Sequence, residues 1–333
     1  MGAVTSRSRP RIRTPHAAAG PGSGYASCLA RTAPAFVSCR SLTSPGIPMR
    51  TIAEYELLEP LPARYHFRAR NADGSMVALQ VLPAWRRSKE AIARFEREVS
   101  LEKAVRHENI AGFIAWGSAM VHDHELVGGP GVGEVHYIAR ELVPGRTVSD
   151  LVRKGPPPLA LSISIAIQAS RGLGALHAQR VVHRNVRPET LILRPDGVLK
   201  LIEFGLVKML RDASAADNAF HTAVGQVVGH AGYMAPEQLE GAEVDERCDL
   251  FALGCVLYEL VGGQPPFNAH DLISYFRAVR EEEPRPLQEL RSEVPVSLDR
   301  ILARLLRKSP EERYASAAEL ESDLIESLGD PAV

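Results

Sequence analysis

The sequence is poor in cysteine, in long hydrophobic runs and, over its first 50 residues, in acidic side chains. Four cysteines in 333 residues are too few and too scattered for a disulfide framework, and no pair has the Cys-x-x-Cys spacing of a zinc site. This usage fits a reducing compartment, and we therefore expect a cytoplasmic protein.

The most apolar stretches are short. They cover residues 159–169 and 250–261, and each is shorter than the roughly 18 to 20 residues that cross a bilayer. We interpret both stretches as buried helices and expect no membrane span.

Acidic residues are missing only from the start of the chain. Residues 1–50 hold seven arginines and no lysine, aspartate or glutamate. The rest of the chain has 32 basic and 40 acidic residues, a net charge of −8. An acidic body argues against a broad surface for nucleic acid, so we do not expect nucleic acid as a partner.

Residues 1–48 are rich in Arg, Ser, Ala, Pro and Gly and show no repeating apolar face. Their composition is similar to that of a transit peptide but lacks the apolar core of a secretory signal. Two interpretations stay open: a disordered leader, or a misassigned start, because Met49 directly precedes the first strand-like segment. In both cases we place residues 1–48 outside the folded domain and expect the fold to survive their deletion.

The remaining composition is that of an ordinary globular protein, with 45% hydrophobic and 24% charged residues in the whole chain. Short alternating segments predict strands at residues 55–61, 65–70, 76–82, 110–121 and 135–143. Residues 91–105 predict an amphipathic helix that packs on this sheet. After Pro144 the predicted elements are helices at residues 159–179, 248–261, 271–280, 298–306 and 316–328. The fold class is therefore α+β, with a small β-rich N-lobe (53–143) and a larger helical C-lobe (144–328).

One polar cluster lies between two predicted strands. His122, Asp123, His124 and Glu125 offer imidazole and carboxylate groups, but the sequence shows no further ligand for a metal. We interpret the cluster as a solvated loop.

Five landmarks follow one another in the helical half. They are His183-Arg184-Asn185-Val186-Arg187-Pro188-Glu189-Thr190, Glu203-Phe204-Gly205, Ala235-Pro236-Glu237, Asp249 within residues 248–254, and Arg313. Together with Val77-Ala78-Leu79-Gln80, Glu98 and the 18-residue step from Asn185 to Glu203, they resemble the signature set of protein kinases. The resemblance covers about residues 53–328 and is greatest to bacterial Ser/Thr kinases of the eukaryotic-like type. It implies a bilobed fold.

The resemblance also implies a nucleotide site, at Gln80, Glu98, Arg140, Glu141, Val143 and Glu203. Here the sequence departs from the family. Residues 61–67 replace the glycine-rich loop with a shorter segment that has no glycine. Gln80 stands where the family has the phosphate-binding lysine, so Glu98 keeps its place without a cationic partner. Arg140 occupies the gatekeeper position, and we expect it to pair with Glu98 or Glu102 and fill the pocket rather than bind an anion.

The catalytic positions depart in the same way. Asn185 replaces the aspartate that accepts the substrate proton, and an amide has no useful basicity at neutral pH. Arg187 replaces a lysine, and Thr190 replaces a metal-binding asparagine. Glu203 replaces the magnesium-binding aspartate, which moves the carboxylate by one methylene. For Glu203 we favour an unused carboxylate over a working metal ligand, since magnesium demands near-octahedral geometry.

The residues that the family uses for its scaffold are retained. They are His183, Phe204, Gly205, Glu237, Asp249 and Arg313, with Pro236 beside Glu237. We therefore expect a pseudokinase, a catalytically inactive regulator or scaffold in phospho-signalling whose partner is another protein, such as an active kinase or its substrate. No cofactor is expected. Two alternatives are an atypical Ser/Thr kinase, which would use Mg²⁺-ATP, and a nucleotide-binding switch without catalysis.

Overall fold

Strands dominate the first part of the folded chain and helices the second, as the sequence predicts. The structure, a computed structural model, describes residues 50–62, 65–203, 232–269 and 272–329. The described strands up to Glu141 form one six-stranded sheet, and most of the helical residues come after it. This is the α+β, bilobed arrangement.

The N-lobe sheet is antiparallel and has the strand order β1-β2-β3-β4-β6-β5. Its strands are β1 (Thr51–Ile52), β2 (Tyr55–Pro60), β3 (His66–Arg70), β4 (Met76–Leu82), β5 (Phe113–Val121) and β6 (Gly133–Glu141). The predicted turn at residues 71–74 closes the β3–β4 hairpin, where Gly74 adopts φ +86° and Asn71 N donates to Ser75 O at 2.8 Å. Positive φ at this place favours glycine.

Helix α1 (Lys89–Ala104) packs on one face of the sheet. It begins two residues before the predicted start because the Ser88 hydroxyl caps its first turn. The buried apolar residues between helix and sheet are Leu82, Phe95, Val99 and Ile138. Each such side chain contributes about 1.5–3 kcal/mol when fully removed from water, so these contacts hold the helix in place.

The segment predicted as a solvated loop after β5 contains a short helix, α2 (His124–Val127). Asp123 accepts hydrogen bonds from the first amides of α2 and pairs with Arg50, while Leu126 is fully buried. Asp123 is therefore held by a helix cap and an ion pair, whereas His122, His124 and Glu125 are exposed, as the solvated-loop interpretation predicts. A buried apolar residue and a cap stabilise this turn, and no group of three His, Cys, Asp or Glu suited to a metal occurs among the described residues.

Strand β5 begins at Phe113 and not at the predicted residue 110. Ile110 instead forms a parallel bridge with Leu201 of the C-lobe. Ala111 N donates to Leu201 O at 2.9 Å, and Leu201 N donates to Asn109 O at 2.8 Å. The connection between α1 and β5 is therefore bonded to the C-lobe.

The C-lobe consists of helices around a large apolar core, with a small sheet β7-β8-β9. The strands are β7 (Arg146–Thr147), β8 (Leu191–Leu193) and β9 (Leu199–Leu201). The helices are α3 (Val148–Val152), α4 (Leu159–His177), α5 (Pro236–Glu240), α6 (Arg247–Gly262), α7 (Leu272–Glu281), α8 (Leu287–Leu290), α9 (Val296–Leu305) and α10 (Ala317–Leu328). The long helices match the prediction to within a few residues, whereas the short elements α3, α5, α8 and β7 to β9 were missed because they are too short to show a period.

Helix α4 is longer than the apolar stretch noted in the sequence. It has 19 residues and, by length and composition alone, could cross a membrane, although 61% of its most apolar window is buried inside the protein. Such burial is typical of a core helix. The expected absence of a membrane span stays a prediction.

Candidate functional site

Asp249 of α6 fixes the loop that carries the catalytic-position residues. Its carboxylate is 1% exposed and accepts hydrogen bonds from His183 N at 2.8 Å and Arg184 N at 2.7 Å. His177 Nε2 lies 2.9 Å from the same carboxylate. Burial alone raises the pKa of Asp249, but the hydrogen bond and charge of His177 outweigh it, so the pKa lies below its ordinary value. Asp249 is therefore a buried anion that anchors the loop from inside the C-lobe.

His183 shapes the same loop from within. It is fully buried, and burial lowers the pKa of its imidazole. Its Nδ1 accepts a hydrogen bond from Asn185 N at 3.2 Å, which suits a neutral ring. Arg184, between them, adopts φ +63°, a left-handed conformation that the bonds to Asp249 stabilise.

Arg187 links three residues of the site through its guanidinium. Nε donates to Asn185 Oδ1 at 3.2 Å, Nη1 to Glu189 Oε2 at 3.1 Å, and Nη2 lies 3.5 Å from Glu203 Oε2. Asn185 Nδ2 also donates to Glu203 O at 3.4 Å. Arg187 and the Glu203 carboxylate are 10% and 17% exposed. The carboxylates of Glu189 and Glu203 therefore share the cation of Arg187.

Thr190 closes the loop and does not project into the cleft. Its hydroxyl is buried, accepts from Arg187 N at 3.1 Å and lies 2.8 Å from Asn185 O, to which it can donate. Its oxygen is thus used inside the loop.

A second cluster lies between the sheet and α1. Arg140 Nε and Nη2 donate to Glu102 Oε2 and Oε1 at 2.8 and 2.6 Å, and Nη1 donates to Gln80 Oε1 at 2.5 Å. These three side chains are 2 to 5% exposed. Arg140 thus pairs with Glu102, one of the two expected acids. The side chain of Glu98 lies outside the described part of the chain.

The direction of the Arg140 side chain follows from the pairing of its strand. Residue 140 on β6 lies opposite Ala78 and shares the α1-facing side of the sheet with Gln80. Its guanidinium is bonded to helix α1, so it fills the space between the sheet and the helix.

Glu141, the next residue of β6, points to the junction of the lobes. Its Oε2 accepts from Gly112 N at 2.9 Å and from Lys200 Nζ at 3.0 Å. Lys200 is a buried residue of β9 that also donates to Ile110 O. Val143, which the resemblance also assigns to the nucleotide site, is half-buried. Glu141 therefore joins the lobes.

Glu237 and Arg313 meet in the C-lobe as a buried ion pair. Phe204 and Gly205, like His230 of the segment that follows, lie outside the described residues. Three further residues of the site were missed by sequence reasoning: His177, Glu189 and Lys200. Glu189 was visible within the His183 to Thr190 landmark, whereas nothing local marks His177 or Lys200, whose partners are 72 and 59 residues away.

Comparison with known proteins agrees with this geometry. The family model described as "Protein kinase domain" matches residues 66–325. The serine/threonine-protein kinase PknB of Mycobacterium leprae is 34% identical over 251 residues, which are 75% of this chain and 38% of that protein. PknB of Mycobacterium tuberculosis is 33% identical over 251 residues, with the same coverage of 75% and 38%. A protein of Clostridium perfringens, named as a probable serine/threonine-protein kinase, is 30% identical over 259 residues, which are 77% of this chain and 35% of that protein.

These relatives are much longer than the matched region, and this chain spans less than two fifths of their length. The match nevertheless covers both lobes and every catalytic-position residue discussed above. The three relatives named above are bacterial proteins named as kinases or probable kinases of the Ser/Thr type. The chain belongs to the protein kinase family.

Proposed function

We propose that the protein is a pseudokinase, a kinase-fold regulator or scaffold that does not transfer phosphate. One observation carries the proposal: the residue at the proton-acceptor position, Asn185, is an amide whose oxygen and nitrogen are both hydrogen-bonded inside the site. An amide cannot serve as a general base at neutral pH. The bonds to Arg187 and Glu203 also fix the orientation of this amide within the site.

The residues present do not fit Mg²⁺-ATP well. In protein kinases a lysine and the metal ions held by carboxylate and amide side chains neutralise the phosphates. Here position 80 is a neutral glutamine bonded to Arg140, the Glu203 carboxylate faces Arg187, and the Thr190 oxygen is used inside its loop. We therefore derive no catalytic step through the nucleotide.

The proposed partner is another protein, such as an active kinase or its substrate, and the proposed location is the cytoplasm. The acidic body supports a protein partner over nucleic acid. Two alternatives stand beside this proposal. The first is an atypical Ser/Thr kinase, because the relatives are named as kinases. The second is a nucleotide-binding switch without catalysis.

Two measurements on the full chain test the proposal. The first is the melting temperature with ATP alone, with Mg²⁺-ATP and with Mn²⁺-ATP at millimolar concentration. A ligand that binds the folded protein stabilises it increasingly as its concentration exceeds the dissociation constant. Because we expect no binding, we expect no shift. The second is radiolabel transfer to a generic basic protein, for which we expect no signal above that of Glu203→Ala prepared in parallel. This matched variant identifies signal from contaminating kinases, which would persist in it.

Each other outcome favours a named alternative. A melting shift together with transfer that Glu203→Ala abolishes would establish an atypical kinase. A melting shift without transfer would establish the nucleotide-binding switch.

A further inference from the structure

At the C-terminal end of α1, an ion pair joins the helix to the sheet. Glu102 lies in the last turn of α1, and Arg140 lies near the end of β6, 38 residues later. Their two hydrogen bonds are parallel, as in the strongest arginine–carboxylate pairs. At 2 and 5% exposure, the pair cannot separate without either moving the helix or leaving a buried charge unpaired.

The neutral residue at position 80 completes the charge balance. Arg140 and Glu102 carry opposite charges, and the Gln80 oxygen accepts the remaining Arg140 Nη1 bond at 2.5 Å. A lysine at position 80 would place a second cation against the same guanidinium. Gln80, Arg140 and Glu102 are therefore joined by hydrogen bonds that run from β4 through β6 to α1.

Every bond described for this set joins two groups of the protein. The bonds run from strand to helix within the protein, and the apolar contacts of Phe95 and Val99 continue the same interface. A ligand can shift the position of α1 only by binding its docked and undocked states differently. The Arg140–Glu102 pair joins α1 to the sheet, so it favours the docked state over the undocked state without a ligand.

We propose that the Arg140–Glu102 pair, completed by Gln80, is a latch that keeps α1 docked on the sheet in the absence of nucleotide. The latch goes beyond the proposed function, because it holds whether or not the protein transfers phosphate. It makes the docked α1 a permanent feature of the N-lobe.

Hydrogen exchange of the full chain, followed by mass spectrometry, tests the latch without any nucleotide. Wild-type peptides covering Lys89–Ala104 should be protected. In Glu102→Gln we expect those peptides to exchange at least about tenfold faster, the change that corresponds to 1.4 kcal/mol, while peptides from α4 keep their wild-type rates. Arg68→Met is the matched control, since Arg68 and its partner Glu59 are about half exposed on the same lobe.

Two further variants keep the test decisive if Glu102→Gln does not fold. In Arg140→Met with Glu102→Leu, both charges of the pair are removed together, and α1 should regain protection. Gln80→Lys alone should speed exchange in α1, and adding Arg140→Met should reverse that effect.

The outcomes separate cleanly. Wild-type exchange in α1 of Glu102→Gln, or a charge-free double variant no better than its single variants, would overturn the latch. Because the readout uses no ATP, the latch stands or falls independently of the transfer assay.

Discussion

Arg313 and Glu237 form a bidentate ion pair inside the C-lobe, with Nη1–Oε1 at 2.7 Å and Nη2–Oε2 at 2.9 Å. The guanidinium also donates to the carbonyl oxygens of Arg247, Arg307 and Lys308. Arg313 therefore connects α5 to the start of α6 and to residues 307–308. Among the described residues, no other ion pair links α5 to these two segments. The guanidinium of Arg313 thus pairs its charge with Glu237 and uses its other donors on the three carbonyl oxygens.

Arg313→Ala should lower the free energy of unfolding by about 3–5 kcal/mol, because Glu237 would remain buried without its partner. Denaturant unfolding would measure the loss. Arg277→Ala is the control: Arg277 pairs with Glu281 at 3.1 Å, but its side chain is 77% exposed, and such pairs contribute about 0.2–1 kcal/mol. A wild-type midpoint for Arg313→Ala would contradict a stabilising role for the pair.

Two glycines of α4 should respond oppositely to alanine. A Cβ on Gly172 would lie 2.5 Å from Leu201 Cδ1 and 3.0 Å from Asn109 O, whereas one on Gly174 would lie 3.7 Å from the nearest atom. We expect Gly174→Ala to stabilise the protein by about 0.5–1 kcal/mol through helix propensity. Gly172→Ala should destabilise it by about 1–3 kcal/mol through overpacking. Equal effects in thermal or denaturant unfolding would show that α4 does not approach the α1–β5 connection closely.

His136 should make the stability depend on pH. Its ring is buried against Phe95, and neither nitrogen has a hydrogen-bond partner among the described residues. Burial, helped by Arg87, lowers its pKa below the ordinary value despite Glu134 and Glu96 nearby. The unfolded chain therefore takes up the proton more readily, so stability falls as the pH decreases below about 6.5, the ordinary histidine pKa.

The variant His136→Leu should remove this part of the pH dependence. Its advantage over wild type should grow between pH 7.5 and pH 5, measured by denaturant unfolding at each pH. His183, whose pKa burial also lowers, is present in both proteins, so its contribution cancels. His122→Gln, at an exposed position, is the control. A constant difference across the range would show that His136 titrates normally.

Restoring four family residues should not produce an efficient kinase. The variant is Gln80→Lys, Asn185→Asp, Thr190→Asn and Glu203→Asp. The new lysine would meet the guanidinium of Arg140, and the new asparagine would replace a buried hydroxyl that closes its loop. Residues 61–67 would still lack glycine. Catalytic groups that act as a unit give little when restored in part.

Radiolabel transfer by this quadruple variant should stay far below the roughly 1–100 per second typical of kinases. The parent protein, assayed in parallel, sets the background. Turnover within that range would mean that the substitutions that prevent phosphate transfer are confined to these four positions.

Local sequence patterns predicted the framework but not the connections across it. The periodicity of α1 and of the strands is carried by neighbouring residues, so their bounds were found to within a few positions. The partner of Arg140 could be narrowed to two acids, because Glu98 and Glu102 both lie on α1. Which acid it contacts depends on the pleat of β6 and the height of the helix above it, and neither is encoded in a local pattern.

The same limit applies to Glu203 and Glu141. Glu203 was expected to be an unused carboxylate and not a metal ligand, which stays a prediction, and its side chain faces Arg187 through the fold of the loop. Glu141 was assigned to the nucleotide site by the resemblance, and its carboxylate is bonded to Lys200. Sequence order placed both residues near the cleft, but the directions of their side chains are set by distant partners.

The bonds of Asn109 and Ala111 to Leu201 have a mechanical consequence. The connection between α1 and β5 belongs to the first lobe in sequence order, but it is anchored to the second. If the lobes rotate against each other, this segment moves together with the C-lobe. The chain then bends at two places, one before the segment and one after it. The boundary across which the molecule can bend therefore does not coincide with residue 143, where strand content gives way to helix.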